Sequence, residues 1–383
     1  MKRWLAGGLA YLSAATVVYG QNFYGLSHTA LEMSASQYAD HLGDQPITRG
    51  QTEGTKWRLA HRLQGGWEYD SNIYETSAQR TVSGSARFLL STRGDRRNER
   101  WQVNYAYAAA LQNYPRYGDE NKLSHDLGGQ VAVRLWRWLQ LSSKVNATLK
   151  LYLENTADYA TTLGNLMASI NLPHKILADL SLETGQLDYA KTGIYNFDFT
   201  FRGAELTLRR TLTTNSTLET MLNRRVVRYE RQARAYGPNQ QLEDKAELQR
   251  DVLTTFRTAM TYGRKLVTQV AVEAQINRSN SFGYDFTRFR ASGLLGFRPA
   301  KNWLLRAAGT LQHKRYRDDL ARLNIRDLDT EREQSNFLVV DISRDFSVEI
   351  SLIARATVYN NESTVPGVFY RKMLYFTGLE IRL

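Results

Sequence analysis

The sequence predicts an all-β protein in which one antiparallel sheet closes into a single transmembrane up-and-down β-barrel. Apolar and polar residues alternate almost everywhere between residues 56 and 383, as in strands with one apolar and one polar face. Hydrophobic residues make up only 42% of the 383-residue chain, and no stretch after residue 20 could span a membrane as a helix. A chain this polar can cross a bilayer when half of each strand faces a wet interior.

The N-terminus has the layout of a secretory signal peptide. Lys2 and Arg3 precede a short apolar run, and small or turn-forming residues follow that run. We assign residues 1–20 to the signal peptide, with a retained anchor helix as the alternative. Residues 21–55 are polar and irregular, so the predicted barrel occupies residues 56–383. The chain contains no cysteine, which excludes disulfides and lipid attachment at an N-terminal cysteine.

Three stretches show the alternation most clearly, namely Leu139–Leu153, Leu266–Asn277 and Val348–Tyr359. In each of them, the apolar residues share one parity and are predicted to face lipid, whereas the polar residues face the interior. Dividing the whole chain in this way gives about sixteen strands, with fourteen or eighteen as alternatives. The parity of the apolar residues slips near Gly203, and we interpret this residue as a β-bulge.

The last strand ends at the C-terminus and carries a second signal. Tyr375, Leu379, Ile381 and Leu383 share one parity of the final stretch, Met373–Leu383, and more polar residues share the other. This strand resembles the closing strand and assembly signal of bacterial outer-membrane β-barrel proteins, although those usually end in Phe or Trp. The resemblance implies location in the outer membrane, insertion by the outer-membrane assembly machinery, and contact with the lipid bilayer and lipopolysaccharide.

The predicted connections alternate in length. Short turns such as Trp136–Leu139 and Arg344–Ser347 alternate with longer polar loops such as Asp70–Gln79 and Tyr229–Gln249. Outer-membrane barrels have short periplasmic turns and long extracellular loops. Both termini are therefore predicted on the periplasmic side, and residues 21–55 are interpreted as a periplasmic N-terminal segment.

The chain is basic, with a formal net charge of +12. Its cations stand singly on the polar parity of many strands, which argues against nucleic-acid binding. Fixed charges in a pore with low-dielectric walls focus the field, so an excess of cations predicts a preference for anions. The alternative is that these cations pair with acids across strands and only support the wall. The residues predicted to line the lumen are Arg62, Arg87, Arg134, Lys144, Arg257, Glu273, Arg288, Arg290, Arg306 and Arg355.

The sequence predicts neither an enzyme nor a cofactor. The most tempting cluster is Ser124-His125-Asp126, but neighbours in a strand point to opposite faces. Ser124 and His125 therefore cannot form a nucleophile and base pair on one face. The sequence also shows no metal-ligand spacing and no glycine-rich phosphate loop that opens a helix.

Two short segments carry a narrower resemblance. WEYDSNIY at Trp67–Tyr74 and the hairpin at Asn277–Phe297 are similar to β-barrel porins found beside exopolysaccharide systems. This resemblance implies a passive pore or an export conduit and carries over no catalytic residues. The hypotheses are an anion-preferring pore for passive diffusion of small solutes, a conduit for exopolysaccharide export with periplasmic partners, or a non-conducting barrel enzyme or surface scaffold. Assembly as a homo-oligomer also stays open.

Overall fold

The computed structural model describes residues 57–74, 80–154, 158–189, 198–239, 241–263, 266–318, 336–361 and 370–383. Within these residues the chain forms a closed barrel of sixteen antiparallel strands, in which each strand pairs with its neighbours in sequence and β1 pairs with β16. The predicted up-and-down barrel is therefore confirmed, with sixteen strands. The predicted signal peptide and periplasmic segment lie outside the described residues. No helix in the described ranges is long and apolar enough to cross a membrane.

The strands are long, as the alternation predicted, and a short 3₁₀ helix, Gly118–Glu120, lies between β3 and β4. Their bounds are β1 Arg58–Asp70, β2 Ser83–Arg97, β3 Trp101–Asn113, β4 Lys122–Trp136, β5 Leu139–Tyr152, β6 Tyr159–Leu172, β7 Ile176–Tyr189, β8 Phe199–Thr213, β9 Ser216–Tyr236, β10 Leu242–Gly263, β11 Leu266–Ser279, β12 Phe286–Phe297, β13 Trp303–Tyr316, β14 Asn336–Asp345, β15 Ile350–Asn361 and β16 Tyr370–Arg382.

The two parities of each strand have opposite environments. On β11, Val270 and Val272 are 60% and 56% exposed on the outer surface. Gln269, Glu273 and Asn277, on the other parity of the same strand, are buried inside the barrel. An apolar exterior around a polar interior is the architecture of outer-membrane barrels. Lipid surrounds the exterior of such a barrel, and water or polar groups fill its interior.

The last strand follows the same rule. Phe376 and Glu380 of β16 are buried on the interior side. The residues predicted to form the assembly signal lie exposed on the outer surface, and they are Tyr375, Leu379, Ile381 and Leu383. The sheet thus closes through a strand whose outer side is continuous with the lipid-facing surface.

The connections differ in length at the two ends of the barrel. Short turns at 137–138, 173–175 and 214–215 lie at the end that also holds the start of β1 and the end of β16. Longer connections, such as 71–82 between β1 and β2, lie at the opposite end. The described parts of both termini therefore lie at the short-turn end, which is the periplasmic end in outer-membrane barrels.

Two details of the predicted sheet are wrong. Gly203 is not a bulge, because β8 pairs with β7 and β9 in continuous register through it. The parity slips there because Phe199 and Phe201 face the interior, where they are buried. The loop predicted at Tyr229–Gln249 is mostly strand, since β9 and β10 continue as a polar hairpin beyond the apolar band that marked their ends in the sequence.

The seam between β1 and β16 contains a pair of glycines. Gly66 and Gly378 are direct cross-strand partners. A Cβ added at Gly378 would collide with the backbone oxygen of Gly65, and one at Gly66 would collide with the backbone oxygen of Thr377 and with the Phe376 ring. The closing strands therefore approach at a point where no side chain larger than hydrogen fits without a shift.

Candidate functional site

The inward parity of the sixteen strands forms the interior wall, which is the candidate functional surface. All ten residues predicted to line the lumen stand on this parity, and they differ in burial. Arg87, Arg257, Glu273, Arg288 and Arg290 are buried within the wall. The other five are partly accessible, and they are Arg62, Arg134, Lys144, Arg306 and Arg355.

Glu273 on β11 holds two arginines of the neighbouring strand. Arg288 Nη2 donates to Glu273 Oε1 at 3.0 Å, and Arg290 Nη2 donates to Glu273 Oε2 at 2.5 Å. The register explains this fork, because Arg290 is the direct partner of Glu273 and Arg288 is the partner of Gln275. One carboxylate therefore offsets the repulsion between two guanidinium groups on the same face of β12.

Two further carboxylates continue this group toward β7. Glu219 on β9 accepts hydrogen bonds from Arg209 Nη2 and from Arg257 Nη1, both at 3.1 Å. Glu183 on β7 receives Arg225 in a two-pronged contact of 2.9 and 2.7 Å. We call these residues, together with Glu273 and its two arginines, the β7–β12 cluster.

A small cavity lies within the β7–β12 cluster. Its volume is about 20 Å³, which is the space that one water molecule needs. Arg225, Arg288 and Arg290 line it together with Glu273, and amide groups such as that of Asn223 complete the polar lining. This part of the interior wall therefore has room for water and is rich in hydrogen-bond donors.

A second group of charges lies on the wall near the seam. Arg306 on β13 makes a two-pronged contact with Asp341 on β14, with Nε to Oδ1 at 2.8 Å and Nη2 to Oδ2 at 3.0 Å. Arg355 on β15 approaches the same carboxylate at 3.5 Å. Asp341 therefore has cations on both sides, as Glu273 does.

Glu380 on the last strand joins the same group, which we call the seam cluster. It pairs with Arg62 on β1, so this ion pair crosses the seam. Arg382 Nε also donates to Glu380 Oε1 at 2.9 Å, and its Nη2 lies 3.1 Å from Asp345. Removing either arginine would still leave Glu380 with a cation.

A third group lies at the extracellular end of β1. Glu68 pairs with Arg87 on β2, and Asp70 contacts Lys372 Nζ at 3.1 Å. Tyr114, just beyond the end of β3, donates to Asp70 Oδ2 at 2.9 Å. Burial raises the pKa of the Tyr114 hydroxyl above its ordinary value, so this group stays protonated and donates.

The two signs of charge are unequally accessible in the seam cluster. The side chains of Arg306 and Arg382 are 38% and 42% exposed, and that of Arg62 is 17% exposed. Asp341 and Glu380, which they contact, are covered, with 9% and 2% exposure, whereas Asp345, the second partner of Arg382, is 31% exposed. Arg306 and Arg382 both lie near the short-turn end, so this half of the interior wall carries the more exposed cations of the seam cluster.

The interior also contains an apolar patch that the sequence analysis did not predict. Phe199, Phe201 and Tyr229 pack with Leu187 and Leu253 inside the wall of β7 to β10. Glu205 and Thr207 on β8 have the same parity as Phe199 and Phe201, and their polarity indicates that this parity faces inward. The two phenylalanines were nevertheless misleading, because apolar side chains were expected to face lipid.

The only tempting catalytic cluster of the sequence is divided between two faces. Ser124 and Asp126 are buried on the interior side, and Asp126 Oδ1 accepts a hydrogen bond from Thr148 at 2.6 Å. His125 lies on the outer face, where its Nδ1 contacts the Tyr107 hydroxyl at 2.8 Å. These side chains therefore do not form a nucleophile and base pair.

Comparisons with known proteins concern the fold. No protein-family model and no curated protein matches the sequence. A structure described as a bacterial polysaccharide outer membrane secretin has a TM-score of 0.44 at 9% identity, covering 85% of this chain and 98% of its own. OccK2 (OpdF) of Pseudomonas aeruginosa has a TM-score of 0.42 at 9% identity, covering 85% and 97%. A FadL homologue of Pseudomonas aeruginosa has a TM-score of 0.38 at 9% identity, covering 85% and 90%.

Proposed function

We propose that this outer-membrane β-barrel is a channel for passive diffusion of small solutes and that it prefers anions. The observation that carries the proposal is the unequal accessibility of the seam cluster. The side chains of Arg306 and Arg382 are partly exposed, whereas those of Asp341 and Glu380 are covered and that of Asp345 is less exposed than Arg382. A permeating ion meets the exposed charge first, and a field inside low-dielectric walls is screened less than at an open surface.

The β7–β12 cluster contributes little to the sign of selectivity. Its five arginines, Arg209, Arg225, Arg257, Arg288 and Arg290, face five carboxylates if Glu205 and Asp179 on the same wall are included. Ion pairing therefore lowers the field of this wall. The interior apolar patch lies toward the extracellular end and carries no charge.

Arg306→Gln combined with Arg382→Gln is the sharpest test of anion preference. In this double variant, Asp341 keeps Arg355 and Glu380 keeps Arg62, so neither buried carboxylate loses all its cationic partners. The reversal potential of the purified protein in a planar bilayer, measured under a KCl gradient, should report anion preference in the wild type. The double variant should move that potential toward cation preference.

The matched control is Arg137→Gln combined with Arg210→Gln. Both arginines are exposed outside the lumen near the short turns, so this variant removes the same charge without altering the interior. Its reversal potential should equal that of the wild type. Cation preference in the wild type would contradict the proposed selectivity. A folded, inserted protein without conductance would contradict the channel itself and favour a gated export conduit, a barrel enzyme or a scaffold.

A further inference from the structure

Four arginines stand together on the outer surface of β8, β9 and β10. Arg202, Arg224, Arg228 and Arg250 are all exposed on the parity that elsewhere faces lipid. Arg228 and Arg250 are direct cross-strand partners, and Arg202 is opposite Val226, the residue midway between the two arginines of β9. Each arginine therefore has another as a direct or diagonal neighbour. We call these four residues the outer arginine patch.

The patch has no neutralising partner among the described residues. None of its four guanidinium groups makes an ion pair or a side-chain hydrogen bond with a described residue. Asp251, next to Arg250 in sequence, is buried on the interior side, and Glu230 on the outer parity of β9 lies beyond the patch toward the long-loop end. Like charges directly opposite each other destabilise a sheet. An anion bound between Arg228 and Arg250 would remove this repulsion.

The position of the patch along the strands matches the outer leaflet. Leu206, Leu222 and Phe256 form the exposed apolar row immediately below it, and they are cross-strand neighbours. Arg224 and Arg228 stand eight and twelve positions after Ser216 at the short-turn end. At about 3.3 Å per residue and a tilt of about 40°, these positions are roughly 20 and 30 Å above that end, around the limit of a 25 Å apolar band.

We propose that the outer arginine patch binds the phosphate groups of a phosphorylated lipid in the outer leaflet. Guanidinium groups recognise phosphate through paired, charge-assisted hydrogen bonds. The apolar row of Leu206, Leu222 and Phe256 directly below would contact the acyl chains of the same lipid. A phosphorylated lipid would contact both the arginine patch and the apolar row, whereas a free phosphate ion would contact the patch alone.

The test uses the full-length protein in a neutral detergent and lipid A as the probe, because lipid A carries phosphate groups on an acylated disaccharide. The patch variant replaces Arg202, Arg224, Arg228 and Arg250 with Gln. The matched control replaces four exposed arginines at the short-turn end with Gln, and these are Arg100, Arg137, Arg210 and Arg298. Both variants lose the same charge from the outside of the barrel.

Binding is measured by native mass spectrometry and by the rise in thermal stability on lipid addition. Wild type and control should bind lipid A equally, and the patch variant should bind more weakly by on the order of tenfold or more, the loss of about 1.4 kcal/mol. Lipid A without its phosphates should bind the wild type weakly. Its affinity should not exceed the affinity of intact lipid A for the patch variant. Equal binding of intact lipid A by all three proteins would overturn the proposal.

Two further measurements separate lipid from free anion and from misfolding. Inorganic phosphate should not displace lipid A from the wild type at equal concentration, and full displacement would mean that the patch takes a free anion. If the fourfold variant does not fold, Arg228→Gln combined with Arg250→Gln replaces it, since these two face each other directly. An unchanged affinity in that folded double variant would likewise overturn the proposal. Channel conductance plays no part in this readout, so the proposed function can fail independently.

Discussion

Arg257 and Glu273 stand directly opposite each other on β10 and β11, yet Arg257 donates its hydrogen bond to Glu219 on β9. Glu273 is thereby left to Arg288 and Arg290 on β12. Arg257 thus pairs with an acid on β9 although its register partner on β11 is also an acid, whereas Arg290 pairs with its own register partner. Removing Arg257 therefore unbalances Glu219 rather than the acid directly opposite.

Glu273→Gln should destabilise the barrel by about 3–5 kcal/mol, because it leaves two buried guanidinium groups without the carboxylate they share. Urea unfolding in phospholipid vesicles, followed by tryptophan fluorescence, measures this loss. A triple variant in which Glu273, Arg288 and Arg290 all become Gln should recover most of it, since replacing a whole buried ion group is often near neutral. Wild-type stability of the single variant would mean that lumen water solvates these arginines.

Substitutions at Val145 and Asn146 on β5 should separate the two faces of one strand. Val145 is 54% exposed on the lipid side, and Asn146 lies on the interior side. Val145→Arg should cost roughly 2–4 kcal/mol near the bilayer midplane, and Asn146→Arg much less, because the interior is polar. Both are measured by equilibrium folding into vesicles. Equal costs at the two neighbouring positions would contradict the assignment of faces.

Deleting residues 376–383 should abolish insertion into the outer membrane. The deletion leaves β15 and β1 with unpaired edges in hydrocarbon, where each unsatisfied backbone group costs several kcal/mol. Membrane fractionation and the heat-dependent mobility of the folded barrel in gels report insertion. Replacing Leu379, Ile381 and Leu383 with Ser keeps the strand but removes its outer row. This variant should fold in detergent and insert poorly in cells, and normal insertion would argue against the predicted assembly signal.

Gly378→Ala should impair closure of the barrel, because its Cβ would meet the backbone oxygen of Gly65 across the seam. Gly129→Ala is the matched control, since Gly129 is also a strand glycine and a Cβ there meets nothing within 4 Å. Both changes reduce the freedom of the unfolded chain equally. The unfolding free energy should fall for Gly378→Ala and stay level or rise for Gly129→Ala. Equal stability of the two variants would show that the seam can widen freely.

The mature protein should begin near Gln21. Lys2, Arg3 and the apolar run that follows them motivate this prediction. N-terminal sequencing of protein purified from the cell envelope measures it directly. A mature chain that still begins at Met1 would favour the retained anchor helix instead.

The strand number and the two faces of the barrel were predictable because period-two alternation is a local property of the sequence. Val270 and Glu273 on β11 lie on the faces that their polarity predicted. The prediction failed where polarity and face disagree, as at Phe201, whose ring packs inside the wall and contacts the Arg225 guanidinium. It also failed above the membrane, where β9 and β10 are polar on both sides and resemble a loop.

The partners of the interior charges were not predictable, because pairing depends on register. The sequence placed Arg306 on the inward parity, but only the alignment of β13 with β14 makes Asp341 its partner. The relative accessibility of the interior charges was also not predictable from the sequence, since it depends on which side chain covers which in the folded barrel. The sequence could therefore predict which charges face inward but could not show which of their side chains stay accessible.

The ion pairs across the seam have a consequence for assembly. Glu380 of the last strand meets Arg62 of the first, and Lys372 of the last strand meets Asp70 of the first. These contacts stand near the two ends of the same strand pair and have opposite polarity. A slip of β16 by two residues that brought Glu380 opposite Gly66 would keep every side chain on its proper face and preserve the backbone ladder, but it would separate both pairs at once. The opposite slip would place Glu380 directly opposite Arg62 and Lys372 directly opposite Asp70. The charges thus act as a register lock against slippage in one direction, which hydrophobicity alone would accept.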